Sequence, residues 1–175
     1  MRTEALLERE VAHVLRALTR SNELVCQVCL HTGLRVSDVL ELRPWQLGPH
    51  FWVTEKKTGK RRQVGLPAPL LDALARQAGE AWVFPSPRDP EKHRTRQAVW
   101  KDIKRAAKLF RLPQNVGPHS LRKTYARELL AKYGSIKRVQ RALNHSSDAV
   151  TLLYVIAARE LEAKHLPPAL PGRRL

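Results

Sequence analysis

The sequence is short of acidic residues. Asp and Glu number 16 in a chain of 175 residues, against 32 Lys and Arg, so the formal net charge is +16 at pH 7. Enzymes of small-molecule metabolism usually stand nearer to charge balance, whereas a strongly basic chain favours a polyanionic partner, of which nucleic acid is the first candidate. The hydrophobic share of 43% is enough for one compact domain with a real core.

Long apolar runs are also missing. No stretch approaches the roughly 18 apolar residues that a membrane span needs. The amino-terminal segment MRTEALLERE is charged where a secretory signal would be apolar. We therefore expect an intracellular protein without a membrane partner.

Cysteine is scarce, and the two cysteines present, Cys26 and Cys29, form a lone C-x-x-C. A structural zinc site needs a second ligand pair, and attachment of c-type haem needs His directly after the second Cys, where this chain has Leu30. Both thiols would share one face of an apolar helix, which predicts that they are buried as small hydrophobic residues.

Two signatures of cofactor-dependent phosphate chemistry are absent from the sequence. It has no obvious cluster of Asp, Glu and His like that of a two-metal nuclease, and no G-x-x-x-x-G-K-[ST] motif for nucleotide phosphates. We expect the chemistry to need no metal and no other cofactor.

The periodicity of apolar residues predicts an α+β fold that is mainly helical. Helical spacing and capping residues indicate helices over 4–19, 22–32, a short segment after Ser37, 67–79, 95–110, 118–132, 135–143 and 148–164. Segments 51–54 and 62–66 flank the turn residues TGK and predict a basic β-hairpin. With a further short strand at 81–84, the expected sheet has three antiparallel strands.

Polar residues cluster in the segments HTGLRVSDVLEL and GPHSLRKTY. Arg35 follows a glycine that ends a helix, where it either points into a cleft or pairs on the surface with Asp38 or Glu41. His119 and Arg122 lie three residues apart at the predicted start of a helix, where free N–H groups already attract anions. The second cluster is therefore a candidate phosphate site.

A third cluster lies in LNHSSDAVTLLYVIA. His145 ends one helix, SSD makes the connection, and Tyr154 lies almost two turns into the next predicted helix. A tyrosine among aliphatic residues is most often core packing, so this segment alone does not indicate a function.

Together these residue types fit the breaking of a DNA phosphodiester without water. Two arginines can each bind two phosphate oxygens, and a histidine can donate to them. A lysine can supply the proton for the leaving 5′ oxygen, and a tyrosine can attack phosphorus to give a covalent phosphotyrosine.

The chain resembles the tyrosine recombinases, or phage integrases, over residues 20–158. The resemblance lies in four motifs that occur in the order of that family and with gaps compatible with it: TGLRVSD, EKKTGKRR, HSLR and LNHSSDAVTLLY. The resemblance implies these catalytic residues: Arg35, Lys57, His119, Arg122, His145 and Tyr154. It implies site-specific DNA recombination through a 3′-phosphotyrosine, as in the integrase of a phage or mobile element.

The resemblance also implies the role of each catalytic position. Tyr154 would be the nucleophile, Lys57 the general acid, and Arg35, Arg122 and His145 the groups that hold the developing charge. A neighbouring Lys56 or Lys60 would take the inward position if the hairpin register slipped by one residue.

Supporting positions follow from the same resemblance. His119 would act as a hydrogen-bond partner or base, and Asp38 would support the first arginine from behind. The helix over 95–110 resembles the one that family members lay against the major groove. The expected DNA-contacting residues are Arg94, Arg96, Gln97, Lys101, Lys60 and Arg62.

The expected domain organisation is a catalytic domain over 1–167 and a flexible tail over 168–175. The separate amino-terminal helical clamp domain of the family is not in this sequence, so the chain is either a fragment or a minimal recombinase. Double-stranded DNA is the expected partner, bound by a homotetramer in which the segment after Tyr154 is exchanged between subunits or folds back on its own. A bacterial, archaeal or phage-encoded cytoplasmic protein associated with DNA is implied.

Two other functions remain open from the sequence. A type IB topoisomerase has a similar pocket and nicks and reseals one duplex without exchanging partners. A DNA-binding accessory protein with an idle pocket would have the same charge, although every expected catalytic position here is filled by the expected residue type.

Overall fold

The computed structural model describes residues 3–113 and 115–144. Within these residues the chain is mainly helical and carries one β-hairpin, and none of the helices is both long and apolar enough to cross a membrane. In chain order the elements are α1 (Glu8–Ala17), α2 (Arg20–Thr32), α3 (Val36–Leu40), a 3₁₀ turn (Pro44–Gln46), β1 (His50–Thr54), β2 (Arg61–Gly65), α4 (Ala68–Gln77), α5 (Arg96–Leu109), α6 (Pro118–Tyr133) and α7 (Ile136–Ala142). The helix predicted over 148–164 and the tail lie outside the described residues.

Helix α2 is the centre of the fold. Its middle residues are apolar on nearly every side, and Leu24, Val25, Cys26 and Val28 are fully buried against the surrounding helices. The predicted burial of both cysteines as free thiols is confirmed. Burial raises the pKa of the Cys29 thiol to about 12, so this group is protonated and unreactive at neutral pH.

Gly33 ends α2 in the left-handed conformation, with φ 66°, and its N–H donates to the Cys29 carbonyl at 2.8 Å. A Cβ at this position would meet the Tyr125 ring at 2.4 Å, so both the backbone angle and the packing require glycine. The chain leaves Gly33 extended, and Arg35 occupies the N-cap of α3 where Ser37 was predicted. The glycine thus sets the position from which the Arg35 side chain leaves the backbone.

The β-hairpin is present with the predicted alternation. Phe51 pairs with Val64 and both are buried, whereas Trp52 on the opposite face is exposed. The prediction of a third strand was wrong, because the sheet formed by the described residues has two strands. In segment 81–84 the Val83 N–H donates to the Leu42 carbonyl at 3.0 Å, so this apolar run is buried by a loop contact instead of by strand pairing.

Helix α5 begins within one residue of the predicted range 95–110, and the Thr95 hydroxyl caps it by accepting from the Ala98 N–H at 3.1 Å. Two of its large apolar side chains are not buried, since Trp100 is 47% exposed and Phe110 is 36% exposed. The reason is Asp102, which is buried and accepts from the Asn22 amide at 2.8 Å and the Thr19 N–H at 2.9 Å. These bonds turn the Asp102 side of α5 toward α2 and leave Trp100 at the surface.

Candidate active site

A cavity of about 510 Å³ opens where the start of α6 meets the start of α3 and one side of α5. Arg35, His119 and Arg122 all line it, although they come from segments more than 80 residues apart in the sequence. The other charged or aromatic residues of its wall lie on α5: Arg96, Trp100 and Lys104. The structure therefore brings three of the six predicted catalytic residues to one basic cavity.

Arg122 lies on the first turns of α6 and is almost fully buried. Its guanidinium donates through Nη1 to the Gly33 carbonyl and through Nη2 to the Leu143 carbonyl. A single side chain thus joins the end of α2 to the residue that follows α7. These charge-assisted bonds hold the guanidinium in one orientation at the wall of the cavity.

Arg35 is the N-cap residue of α3, and its side chain is 23% exposed toward the cavity. Its Nη1 donates to Glu55 Oε2 and lies 3.9 Å from Asp38 Oδ2. The sequence left open a surface ion pair with Asp38 or Glu41, but the carboxylate of Glu41 binds Lys56 instead. The buried carboxylates of Glu55 and Asp38 therefore hold the Arg35 guanidinium in place.

Asp38 connects α3 to the hairpin. Its Oδ1 accepts from the Lys56 N–H at 3.0 Å, and burial raises the pKa of this carboxyl above its usual value. The hairpin turn that follows is closed by the Glu55 carbonyl, which accepts from the Gly59 N–H at 2.8 Å. Lys57 lies in this turn with an exposed side chain.

His119 is the second residue of α6, one turn before Arg122, and both side chains line the cavity from the start of this helix. Partial burial of the imidazole, together with the positive charges of Lys123, Arg122, Arg35 and Lys57, lowers its pKa to about 4. The ring is neutral at pH 7, with one nitrogen able to donate and the other able to accept. The charge of Lys57 thus acts on the same cavity as the three lining residues.

The depressed pKa of His119 predicts a pH dependence of stability. Between pH 6.5 and pH 4 the unfolded chain protonates this imidazole and the folded chain does not, so falling pH favours unfolding across that window and has no effect through this group above it. We expect the thermal midpoint of wild type to fall as pH is lowered from 7 to 5, and His119→Gln to flatten part of that fall.

The control for that measurement is His50→Gln, which changes an exposed histidine on the hairpin. It should keep the slope of wild type. An unchanged slope in His119→Gln, measured by circular dichroism melts at each pH, would contradict the assignment of a lowered pKa to His119.

The predicted DNA-contacting residues differ in their exposure. Arg96 and Gln97 line the cavity, whereas Lys101 is exposed on α5 and Lys60 is exposed on the hairpin. Arg94 is half-buried, and burial lowers the pKa of its guanidinium.

Arg62 is engaged inside the protein. Its Nη2 donates to the Thr32 carbonyl at 2.8 Å, its Nη1 donates to the Ala142 carbonyl, and its Nε lies 3.4 Å from Glu55 Oε1. The contact with DNA predicted for Arg62 stays a prediction. His145 and Tyr154 lie outside the described residues.

Sequence reasoning missed Glu55, Trp100 and Lys104. Glu55 is fully buried, although the sequence shows only an acid beside three cations, and its partner Arg35 is twenty residues away. The Lys104 ammonium lies 5.8 Å from the centroid of the Trp100 ring and donates to the Asn115 side chain. The lysines and arginines that recur along the segment of α5 were the available signal for Lys104. No group of His, Cys, Asp and Glu in the described ranges is arranged to hold a metal ion.

The sequence of this chain matches known proteins over most of its length. Residues 4–160 match the model of the phage integrase family. A curated relative, the probable integrase/recombinase YoeC of Bacillus subtilis, is 31% identical over 136 residues, which cover 72% of this chain and 72% of that protein. The chain spans between 44% and 66% of the length of four further integrases and recombinases.

Solved structures share the fold at lower identity. A XerH site-specific recombinase in a post-cleavage complex with its difH substrate superposes with a TM-score of 0.73 at 20% identity, over 93% of this chain and 52% of that one. A lambda integrase tetramer bound to a Holliday junction gives a TM-score of 0.72 at 23% identity, over 88% of this chain and 48% of that one.

Proposed function

The chain belongs to the phage integrase family, and from this premise we propose that it is a tyrosine site-specific recombinase, which cleaves and rejoins DNA through a 3′-phosphotyrosine. The observation that carries the proposal is the gathering of Arg35, His119 and Arg122 at one cavity, with the charge of Lys57 acting on His119. A basic cavity at a helix start suits a phosphate.

In the proposed reaction the Tyr154 phenol gives its proton to the neutral imidazole of His119, its oxygen attacks the scissile phosphorus, and the bond from phosphorus to the 5′ oxygen breaks. Lys57 gives its proton to that leaving oxygen, so the free 5′ end is a hydroxyl. Arg35 and Arg122, with His145, bind the non-bridging oxygens and stabilise the charge that builds up on them. The reverse reaction, with a 5′ hydroxyl from another strand, completes the exchange.

His119 takes part as a neutral group. With a pKa of about 4 it carries no charge at pH 7, so it adds directional hydrogen bonding to the site and leaves the electrostatic stabilisation to the arginines. Asp38 supports this arrangement by holding the Lys56 backbone beside Arg35.

DNA binding rests on charge and on α5. A net charge of +16 gives strong affinity that does not depend on sequence, through release of counterions from phosphates. Arg96 and Gln97 begin α5 at the cavity wall, and Lys101 follows one turn later. Arg94 directly precedes the Thr95 N-cap of α5, and Lys60 is exposed on the hairpin. We propose DNA contacts for these residues and for Arg62, which also donates to the Thr32 and Ala142 carbonyls.

The assembly is proposed by analogy with relatives. The lambda integrase that shares this fold forms a tetramer on a Holliday junction, and we infer a homotetramer on two duplexes for this chain. The segment after Tyr154 is proposed to pass between subunits. Residues 1–167 are proposed as the catalytic domain, with 168–175 as its tail. The cytoplasm is proposed as the compartment in which the protein binds its DNA substrate.

The test is trapping of the covalent intermediate. A pool of nicked duplexes with random sequence around the nick is incubated with the protein in EDTA, which removes metal ions. Because the strand is already nicked, cleavage releases a short strand and cannot reverse. We expect a protein–DNA adduct on a denaturing gel, and sequencing of the captured strands then gives the target. Absence of an adduct from the whole pool would overturn the proposal.

A second assay separates recombination from the action of a type IB topoisomerase. Two duplexes that carry the captured target are incubated with the protein, and recombinant strands are expected. Relaxation of supercoiled plasmid without recombinants would show a nicking and closing enzyme instead.

A further inference from the structure

Glu55 is a fully buried carboxylate at the junction of α2, α3 and the hairpin. Its Oε2 accepts from Arg35 Nη1, and its Oε1 lies 3.4 Å from Arg62 Nε. A buried carboxylate between two guanidiniums is costly to desolvate and is retained only where its geometry is well satisfied. This arrangement therefore calls for an explanation beyond stability.

The two arginines on either side of Glu55 differ in what they face. Arg62 donates to the backbone carbonyls of Thr32 and Ala142, so it is fixed to the ends of α2 and α7. Arg35 reaches the cavity wall with 23% of its side chain exposed. Glu55 therefore connects Arg62, which is held by two backbone carbonyls, to Arg35 at the cavity wall.

The side chain and the backbone of Glu55 have separate contacts. Its backbone closes the hairpin turn, because its N–H donates to the Lys60 carbonyl at 2.9 Å and its carbonyl accepts from Gly59. The carboxylate contacts the two arginines, and its Oε2 also accepts a long hydrogen bond of 3.4 Å from the Thr58 hydroxyl in the turn. A substitution at the carboxylate consequently changes the support of Arg35, while the backbone bonds of Glu55 still close the turn that carries Lys57.

We propose that Glu55 is a positioning residue of the strand-cleavage reaction, which orients the Arg35 guanidinium toward a non-bridging oxygen of the scissile phosphate. The inference rests on the proposed function, since it concerns the same cavity. A preorganised donor is effective because it needs no reorganisation as charge develops on that oxygen. Without the carboxylate, Arg35 is free to adopt other rotamers and meets the phosphate in the productive geometry less often.

The test compares wild type with Glu55→Gln, which keeps the shape of the side chain and removes its charge. Single-turnover cleavage of the nicked substrate should slow by about 100-fold, the typical effect of losing one donor to a developing oxyanion. The dissociation constant for DNA should change by less than about threefold, because contacts to the other phosphates remain.

A modified substrate shows whether the defect acts through Arg35. A methylphosphonate at the scissile position replaces one charged non-bridging oxygen by a methyl group, so the reaction depends less on the arginine. We expect the gap between Glu55→Gln and wild type to shrink there from about 100-fold to less than about fivefold. A general loss of structure would slow both substrates equally.

The matched control is Glu41→Gln, which removes one negative charge beside the same hairpin but breaks only the ion pair with Lys56. It should cleave within about twofold of wild type, as expected for an exposed pair. If Glu55→Gln fails to fold in circular dichroism, Glu55→Asp replaces it. That variant keeps the charge and draws the carboxylate away from Arg35, so a defect of about tenfold with the same methylphosphonate rescue is expected.

The outcomes separate the two claims. Cleavage by wild type with equal cleavage by Glu55→Gln would overturn the role of Glu55 and leave the proposed function standing. An equal defect on both substrates would also overturn it, since the effect would then not pass through Arg35. Absence of any adduct from wild type would instead overturn the proposed function.

Discussion

Arg122→Gln is expected to lower the rate of strand cleavage by about 1,000-fold and the free energy of unfolding by about 3 kcal/mol. The guanidinium is buried and donates to the carbonyls of Gly33 and Leu143, so its removal leaves two buried acceptors without a charged donor. The same group lines the cavity where the phosphate is proposed to bind. Urea denaturation and single-turnover cleavage measure the two effects separately.

Lys132→Gln is the matched control for this variant. Lys132 lies on the same helix with an exposed side chain, so the change removes one positive charge without breaking a buried bond. We expect stability and cleavage close to those of wild type. If Arg122→Gln were as stable and as active as Lys132→Gln, neither the structural nor the catalytic role of Arg122 would hold.

Arg35→Lys should bind DNA within about twofold of wild type and cleave it at least about 100-fold more slowly. A lysine keeps the charge, so the long-range attraction to DNA is retained. It cannot, however, bind Glu55 through one nitrogen and a phosphate through others in a fixed plane, as the arginine can. Gel-shift titration and single-turnover cleavage at one salt concentration measure binding and chemistry.

Arg20→Lys controls for the exchange itself. Arg20 is an exposed residue of α2 that pairs with Glu23, and the exchange there should alter neither binding nor cleavage. Cleavage by Arg35→Lys at the rate of wild type would contradict the role assigned to Arg35, whatever its affinity for DNA.

The sequence predicted the elements that local signals specify. Three such features are the start of α6 at Pro118, the end of α2 at Gly33 and the start of α5 near Thr95. They depend on the conformations that a few neighbouring residues allow. The hairpin followed from alternating residues on both sides of a glycine turn. Because the motifs proposed to be catalytic lie at such element ends, the lining of the cavity by Arg35, His119 and Arg122 was predictable.

Features that depend on distant partners were not predictable. The buried ion pair of Glu55 with Arg35 joins the hairpin to α3, and Asp102 is buried only because α1 and α2 meet α5 at that point. The run at 81–84 is apolar enough for a strand, but its backbone bonds are divided between the Leu42 carbonyl and the N–H groups of Gly79 and Arg94. In each case the local sequence is compatible with more than one structure, and tertiary packing determines which one forms.

The central claim is that Tyr154 is the nucleophile, and the most direct measurement is the identity of the residue that carries the DNA. The trapped adduct is digested with protease and nuclease, and the peptide that bears a nucleotide is located by mass spectrometry. The chain has two other tyrosines, Tyr125 and Tyr133, so Tyr125→Phe and Tyr133→Phe are matched controls. We expect the nucleotide on Tyr154, adducts from both controls, and none from Tyr154→Phe; an adduct formed by Tyr154→Phe, or a nucleotide on any other residue, would contradict the account.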